Sequence, residues 1–196
     1  MFFMELEGRA EAYFRDIDNK VAEALGRLAA SGTKPPCGPG CHWCCYLPVR
    51  ASAPESVLIA AYLDSNLTND GLLSLKSRLE AWLRWHREEL PRHITGVDVS
   101  KAYLLHGQPC PFLTGGLCRI YPVRPMGCRV HFSFDPARCG PDAPVASIFD
   151  PPHIVQDVLD AVRPLCLEYR MGLQDAGIDF EGTLRLLPEL VLPNIS

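Results

Sequence analysis

Eight of the nine cysteines in this chain fall into two short stretches rich in glycine and proline, and that bunching restricts the fold more than any other feature. The first stretch reads Cys37-Gly-Pro-Gly-Cys41-His-Trp-Cys44-Cys45. The second begins Cys110-Pro-Phe-Leu-Thr-Gly-Gly-Leu-Cys118, continues through Arg124-Pro-Met-Gly-Cys128-Arg129 and closes at Cys139-Gly140. Thiols that only fill a core have no reason to gather beside residues that interrupt helices. Glycine permits the backbone angles and close approach needed to wrap a chain around an ion, and thiolates two or three residues apart can meet one metal while intervening amides disperse their charge. Cys37, Cys41, Cys44, Cys45, Cys110, Cys118, Cys128 and Cys139 are therefore the candidate metal ligands. With residues 46–109 between the two groups, a shared site requires two loops brought together across a scaffold. A structural zinc of this kind contributes on the order of 10 kcal/mol to folding.

That scaffold reads as helical. Half of the 18 prolines lie between Pro109 and Pro152, whereas residues 5–30 and 55–90 contain none. In the first proline-free segment Ala10, Phe14, Ile17, Val21, Ala24 and Leu28 recur at steps of four and three, one stripe of an amphipathic helix that Gly32 should end. Ser52 and Glu55 have the spacing of a capping box with Pro54 in the first turn, which predicts a helix to about Asn66. Thr68 or Asn69 starts another, carrying Leu72, Leu75, Leu79, Trp82, Leu83 and Leu90, with His86 on the same face as a core or boundary residue. Asp150-Pro151-Pro152 reads as a further helix start, followed by Val155, Val158, Leu159, Val162, Leu165, Cys166, Tyr169 and Leu173, with a bend at Pro164. Leu184–Leu192 adds an apolar run able to dock against the bundle. Only Arg129–Phe134 alternates as a strand does, so any sheet would be a small ribbon. The expected fold is mainly α, a small helical bundle with two Cys-rich, Gly/Pro-rich metal-binding loops and little or no β-sheet. One domain over 1–196 would hold a helix at about 5–31, the cysteine region at about 35–140 and helices at about 151–192.

Composition narrows the partners. Nineteen basic and 23 acidic side chains leave a net charge of −4, which offers no overall field for nucleic acid. Charged Glu5 follows the first apolar residues at once, and no apolar run approaches the roughly 18 residues of a membrane span. A soluble, cytoplasmic chain is the expectation, in a reducing compartment where clustered cysteines serve metals more readily than disulfides. A metal ion or cluster is the expected partner, with room for a protein partner, and with neither nucleic acid nor membrane.

The combined pattern Cys37-x₃-Cys41-x₂-Cys44-Cys45, Cys110-Pro111-Phe112-Leu113, Gly116-x-Cys118-x-Ile120-Tyr121 and Arg124-Pro125-x₂-Cys128-Arg129 resembles the CxxCxxCC cysteine-cluster proteins, a YkgJ-type family described as zinc- or iron-chelating. The resemblance spans about residues 35–140; the first spacing here is three residues, and the long N-terminal helix is not part of the motif. Flagellin lysine methylases carry a similar cysteine region, which brings in an iron–sulfur cluster by resemblance. The Cys37-x₃-Cys41-x₂-Cys44 spacing also matches the radical-SAM fingerprint, but that fold needs β/α units that this sequence lacks.

Tetrahedral zinc and a [4Fe–4S] cluster both accept four thiolates, so two zinc ions, one cluster with spare thiols, or one of each would suit these cysteines. The adjacent pair Cys44-Cys45 favours iron–sulfur slightly, since neighbouring sulfurs meet one tetrahedral ion awkwardly and serve different metals more easily. His42 and His131 could each replace a cysteine as ligand, but they read more readily as solvent-facing or as surroundings of the site, because cysteines are already in surplus. Arg124 and Arg129, with Arg119 and Arg138, offset thiolate charge or hold an anionic cofactor or substrate, with pairing to Asp135 or Asp142 as the plainer alternative. Tyr121 reads as packed against the site, and Cys166 as a buried thiol. The functional reading is a metal-binding cysteine-cluster protein with a redox, sensing or accessory role, the alternatives being a cluster-dependent protein-modifying enzyme and a zinc-stapled interaction module. No Ser/His/Asp order, P-loop or dinucleotide turn marks an enzyme independently. Denaturation under a chelator is expected to expose all nine cysteines as free thiols to a thiol reagent; fewer, recovered only after reduction, would mean a disulfide scaffold.

Overall fold

The computed structural model of the protein describes residues 2–33, 37, 40–94, 99–133, 139 and 156–195. It is mainly α, as the periodicities predict. Helix α1 (Phe2–Ala30) buries Ala10, Phe14, Ile17, Val21 and Ala24 along the predicted stripe. Its end is a Schellman motif: Thr33 N–H donates to Leu28 O at 2.9 Å and Gly32 N–H to Ala29 O at 3.1 Å, with Gly32 at φ +86°. Helix α2 (Ala53–Asn66) starts at the predicted cap, where Ser52 N–H donates to Glu55 Oε2 at 2.6 Å. Helix α3 (Asn69–Glu88) begins at Thr68, whose hydroxyl accepts from Gly71 N–H. Two short helices follow, α4 (Pro91–Ile94) and α5 (Val99–His106), the second leading into Cys110. Beyond the cysteine loops come α6 (Met126–Arg129), α7 (Gln156–Asp175), α8 (Phe180–Thr183) and α9 (Leu187–Val191). The expected helix start at Asp150–Pro152 lies outside the described residues, and α7 runs through Pro164 as one continuous element.

Packing among the described residues sets three apolar clusters. Along α1, the buried stripe meets Val158, Val162, Tyr169 and Leu173 of α7, and Tyr13 stacks on Tyr169 with ring centroids 4.1 Å apart and planes at 8°. The stripe is thus satisfied by a helix of the same chain. A second cluster joins Ile59 and Leu63 of α2, Leu75 and Leu79 of α3, and Leu187 and Val191 of α9 to Phe112 and Ile120 from the cysteine region. Full burial of a side chain such as Phe112 stabilises by about 1.5–3 kcal/mol, so this loop is anchored and not merely draped. The third holds Trp82, Leu83 and Leu90 against Ala102 and Tyr103 of α5. His86 lies in this region, stacked on Trp82 and 2.6 Å from the Tyr103 hydroxyl, a half-buried boundary histidine whose partial burial lowers its pKa.

The β-structure is as small as expected but lies elsewhere. Residues 130–133 form no strand; Arg129 ends α6, and Phe134 is outside the described residues. Strand β1 (Arg50–Ala51) pairs antiparallel with β4 (Arg185–Leu186), and β2 (Leu113–Thr114) pairs with β3 (Leu117–Cys118). The β2–β3 turn is Gly115-Gly116, at φ +58° and +78°. Two consecutive left-handed residues fit a two-residue hairpin turn, and the glycine pair between Thr114 and Leu117 is the signal that reading by alternation passes over. A Cβ at either glycine would meet no atom within 4 Å, so substitution strains the backbone alone. Gly115→Ala and Gly116→Ala are each expected to lower stability by about 1 kcal/mol, measured as a fall in urea midpoint at unchanged slope. Unchanged midpoints would contradict the turn assignment.

Candidate metal centre

The two cysteine stretches meet. Cys110 N–H donates to Cys45 O at 2.7 Å, a main-chain bond that joins the first loop to the second. The first loop runs through a 3₁₀ turn at Trp43–Tyr46 and ends against β1, whose pairing with β4 fixes its exit. Its start is also tied across the fold: Ser133 N–H donates to Cys37 Sγ at 3.3 Å, and Cys37 Sγ lies 3.6 Å from Ser133 O. In the second loop Cys110 precedes the β2–β3 hairpin and Cys118 lies on β3, opposite Leu113. Burial of Phe112 and Ile120, each two residues beyond its cysteine, seats both thiols against the core.

Electrostatics divides the thiols into two neighbourhoods. Cys128 is pushed well above the ordinary thiol range by burial first, then by Cys110, Cys44 and Cys118. Cys110 rises to about 12 through burial, with Cys118 and Cys44 adding to it, and the Phe112 main chain opposes the rise. Cys118 is raised by burial and by Cys44 against a bond from the Ile120 main chain and the charge of Arg124. Cys44 is raised by its contact with Cys45 and by burial. Cys37, by contrast, is raised by burial and then by Cys41, Cys139 and Cys44. Cys44, Cys110, Cys118 and Cys128 thus form an inner group, Cys37, Cys41 and Cys139 an outer one, and Cys44 bears on both. Cys41 alone among these thiols is exposed; the others are half-buried, and none is in a disulfide.

No three His, Cys, Asp or Glu side chains among the described residues form a grouping that could hold a metal ion as they stand. The donor set nevertheless suits one. Neutral thiols crowded in partial burial gain a strong partner when a soft cation displaces their protons, and the Phe112 and Ile120 amides favour the ionised form. Zinc and iron both fit such donors.

The loop around Cys128 is held by a buried arginine. Arg129 is 1% exposed; its Nε donates to Arg124 O at 2.8 Å, Nη2 to Pro122 O at 2.7 Å and Nη1 to Asp18, while its guanidinium lies 4.4 Å from the Phe14 ring centroid. Phe14 and Asp18 are one helical turn apart on α1, so a single guanidinium reaches both. Arg124 also bonds Asp18, at 3.5 Å, and covers the Tyr121 ring at 3.9 Å, with its charge lowering the pKa of Cys44, Cys118 and Cys128. Both arginines therefore pair with an acid of the first helix; Arg138, Asp135 and Asp142 lie outside the described residues. Tyr121 is exposed under Arg124. His42 is half-buried, its Nδ1 2.9 Å from Gly40 O, and stacks on Trp43. Cys166 packs beside the α1–α7 cluster, 3.4 Å from Met126 Sδ.

Two acids complete the frame. Glu55, 2% exposed, uses Oε2 to cap α2 and Oε1 to accept Met126 N–H at 2.8 Å, so one carboxylate ties the α2 start to the turn that presents Cys128. Asp18 has no motif around it; an acid one turn from a stripe phenylalanine is the only trace it leaves in the sequence. Asp18→Asn is expected to cost about 2 kcal/mol, because it removes the carboxylate from a buried guanidinium, whereas Asp16→Asn on the exposed side of α1 should be neutral. Equal urea midpoints for the two variants would contradict this role for Asp18.

The family described as "Putative zinc- or iron-chelating domain", CxxCxxCC, matches residues 36–141. No curated protein and no solved structure matched the chain. No helix among the described residues is long and apolar enough to cross a membrane. With both cysteine loops and the turns that join them inside the match, the chain belongs to the CxxCxxCC family of zinc- or iron-chelating domains.

Proposed function

We propose that the protein holds a thiolate-bound metal centre on Cys44, Cys110, Cys118 and Cys128, with Cys37, Cys41, Cys45 and Cys139 supplying a second set of donors beside it, and that it serves a redox, sensing or accessory role in the cytoplasm. The observation that carries this reading is the burial of Phe112 and Ile120, which seats Cys110 and Cys118 of the second loop against one core cluster, and the electrostatic influence of Cys44 on Cys110, Cys118 and Cys128 agrees with it. The Cys110–Cys45 main-chain bond supports it. An iron–sulfur cluster is favoured over zinc, because the adjacent Cys44 and Cys45 are better divided between two sets than forced onto one tetrahedral ion. Such a cluster would supply reversible one-electron chemistry; zinc would supply a structural staple.

This chain's own part is to present and balance the thiolates. Arg124 stands near enough to offset their charge, and the Phe112 and Ile120 amides bear on two of the sulfurs. Arg129 and Glu55 fix the turn that carries Cys128. Nine thiols without a disulfide suit a reducing compartment. One folding unit over the whole chain is supported by α1 packing on α7 and by β1 pairing with β4.

Anaerobic purification followed by elemental analysis and a visible spectrum tests the reading. A brown, oxygen-sensitive protein containing iron and labile sulfide is expected, whereas a colourless zinc protein would move the assignment to the staple. Cys118→Ser and Cys128→Ser should each lose most of the metal, and Cys166→Ser should keep it. Full metal content in both Cys118→Ser and Cys128→Ser would refute a centre shared between the loops.

A further inference from the structure

Arginines gather around the cysteine loops, and the fold treats them unequally. Arg124 and Arg129 share the Asp18 carboxylate, whereas Arg78 and Arg119 form no ion pair among the described residues. Arg78 reaches from α3 to the hairpin and donates from Nη1 to Thr114 Oγ1 at 3.0 Å, and its Nε is buried without a partner. Arg119 follows β3, two residues beyond Leu117, which faces Thr114 across the ladder. By strand alternation Arg119 shares the face of Leu117, diagonally across the ladder from Thr114, and its charge adds to burial in lowering the pKa of Arg78 against an opposing pull from Cys110.

Local sequence provides no carboxylate as counter-charge, and Cys110 is the one acidic group that bears on Arg78. The positions three and four residues from Arg78 on its helix, where an acid would stand, are Ser74, Leu75, Ala81 and Trp82. From Val99 to Phe134 no Asp or Glu occurs, in a chain whose net charge is −4. Two like charges about 4 Å apart repel by about 1 kcal/mol even in bulk water, and by more beside a protein. An anion placed between them turns that repulsion into attraction, and a guanidinium fork matches the oxygens of a carboxylate or phosphate. Thr114 Oγ1 accepts from Arg78 and so keeps its own proton to donate. The neighbouring Gly115-Gly116 turn leaves open space on its outer side.

We propose that Arg78, Arg119 and the Thr114 hydroxyl form a receptor for an oxyanion, a phosphate or a carboxylate group, on the outer edge of the cysteine centre. It stands whichever metal the cysteines hold, and it would bring an anionic ligand within reach of the loop carrying Cys110 and Cys118. Calorimetric titration of the protein with inorganic phosphate, and separately with acetate, at fixed ionic strength tests it; the two arms distinguish the phosphate from the carboxylate. Saturable binding of at least one anion is expected, weakened at least about tenfold in Arg119→Gln and Arg78→Gln and partly restored in Arg119→Lys, with metal content unchanged in Arg119→Gln. If Arg78→Gln does not fold, Arg119→Gln decides alone. Absence of saturable binding by either anion, undiminished binding in Arg119→Gln, or equal weakening by Arg84→Gln, which removes a charge elsewhere on α3, would overturn the proposal.

Discussion

Arg129 bonds Asp18 on the first helix, the carbonyls of Pro122 and Arg124 in the loop before it, and the face of Phe14, all from a side chain sealed off from water. A guanidinium is tolerated in such a place only because each of its three nitrogens finds an acceptor, and the reverse also holds: the loop from Pro122 to Cys128 has no regular structure of its own beyond single turns, so its shape is the one that satisfies that cation. Glu55 does the same from the opposite side, accepting from both Ser52 and Met126. A buried cation and a buried carboxylate thus hold from two sides a segment that local propensity would leave loose. The cysteine in that segment inherits a defined position from neighbours that are not themselves ligands.

Much of this architecture was legible in the residues, and the reason is that helices announce themselves locally. The α1 stripe, the Gly32 stop, the Ser52–Glu55 cap and the apolar face of α3 all depend on separations of three and four residues, which any reader of the chain can see. The hairpin at Gly115-Gly116 was equally local, but it was obscured because its strands are two residues long and too short to alternate. What could not be read was the choice of partners. Arg124 and Arg129 stand much nearer in sequence to Asp135 and Asp142, yet they pair with Asp18, over a hundred residues away, because packing of α1 brings that acid to them. Glu55 was recognisable as a cap, while its second oxygen, spent on Met126, had no signature.

The division of the cysteines into an inner and an outer group follows from the same geometry. Phe112 and Ile120 are drawn into the α2–α3–α9 core, which carries Cys110 and Cys118 inward, while Cys41 stays at the surface beside Gly40 and His42. Burial that anchors the loop also desolvates its thiols, so each gain in packing raises the cost of ionising them. Folding and ligand chemistry therefore pull in opposite directions here, and the cationic fork of Arg124, together with main-chain amides near the sulfurs, is the fold's partial remedy.

The pairing of β1 with β4 has a consequence for the order of events on the ribosome. Val49 O accepts Leu187 N–H at 2.8 Å, and α9 covers the face of α2 that lies just beyond the first cysteine loop. Synthesis delivers Cys37 through Cys45 long before residues 185–191, so the early cysteines emerge into the cell with their backbone anchor still untranslated. The first loop reaches its final support only when the C-terminal segment docks, which makes maturation of the centre a late step and leaves nascent chains with unguarded thiols until then.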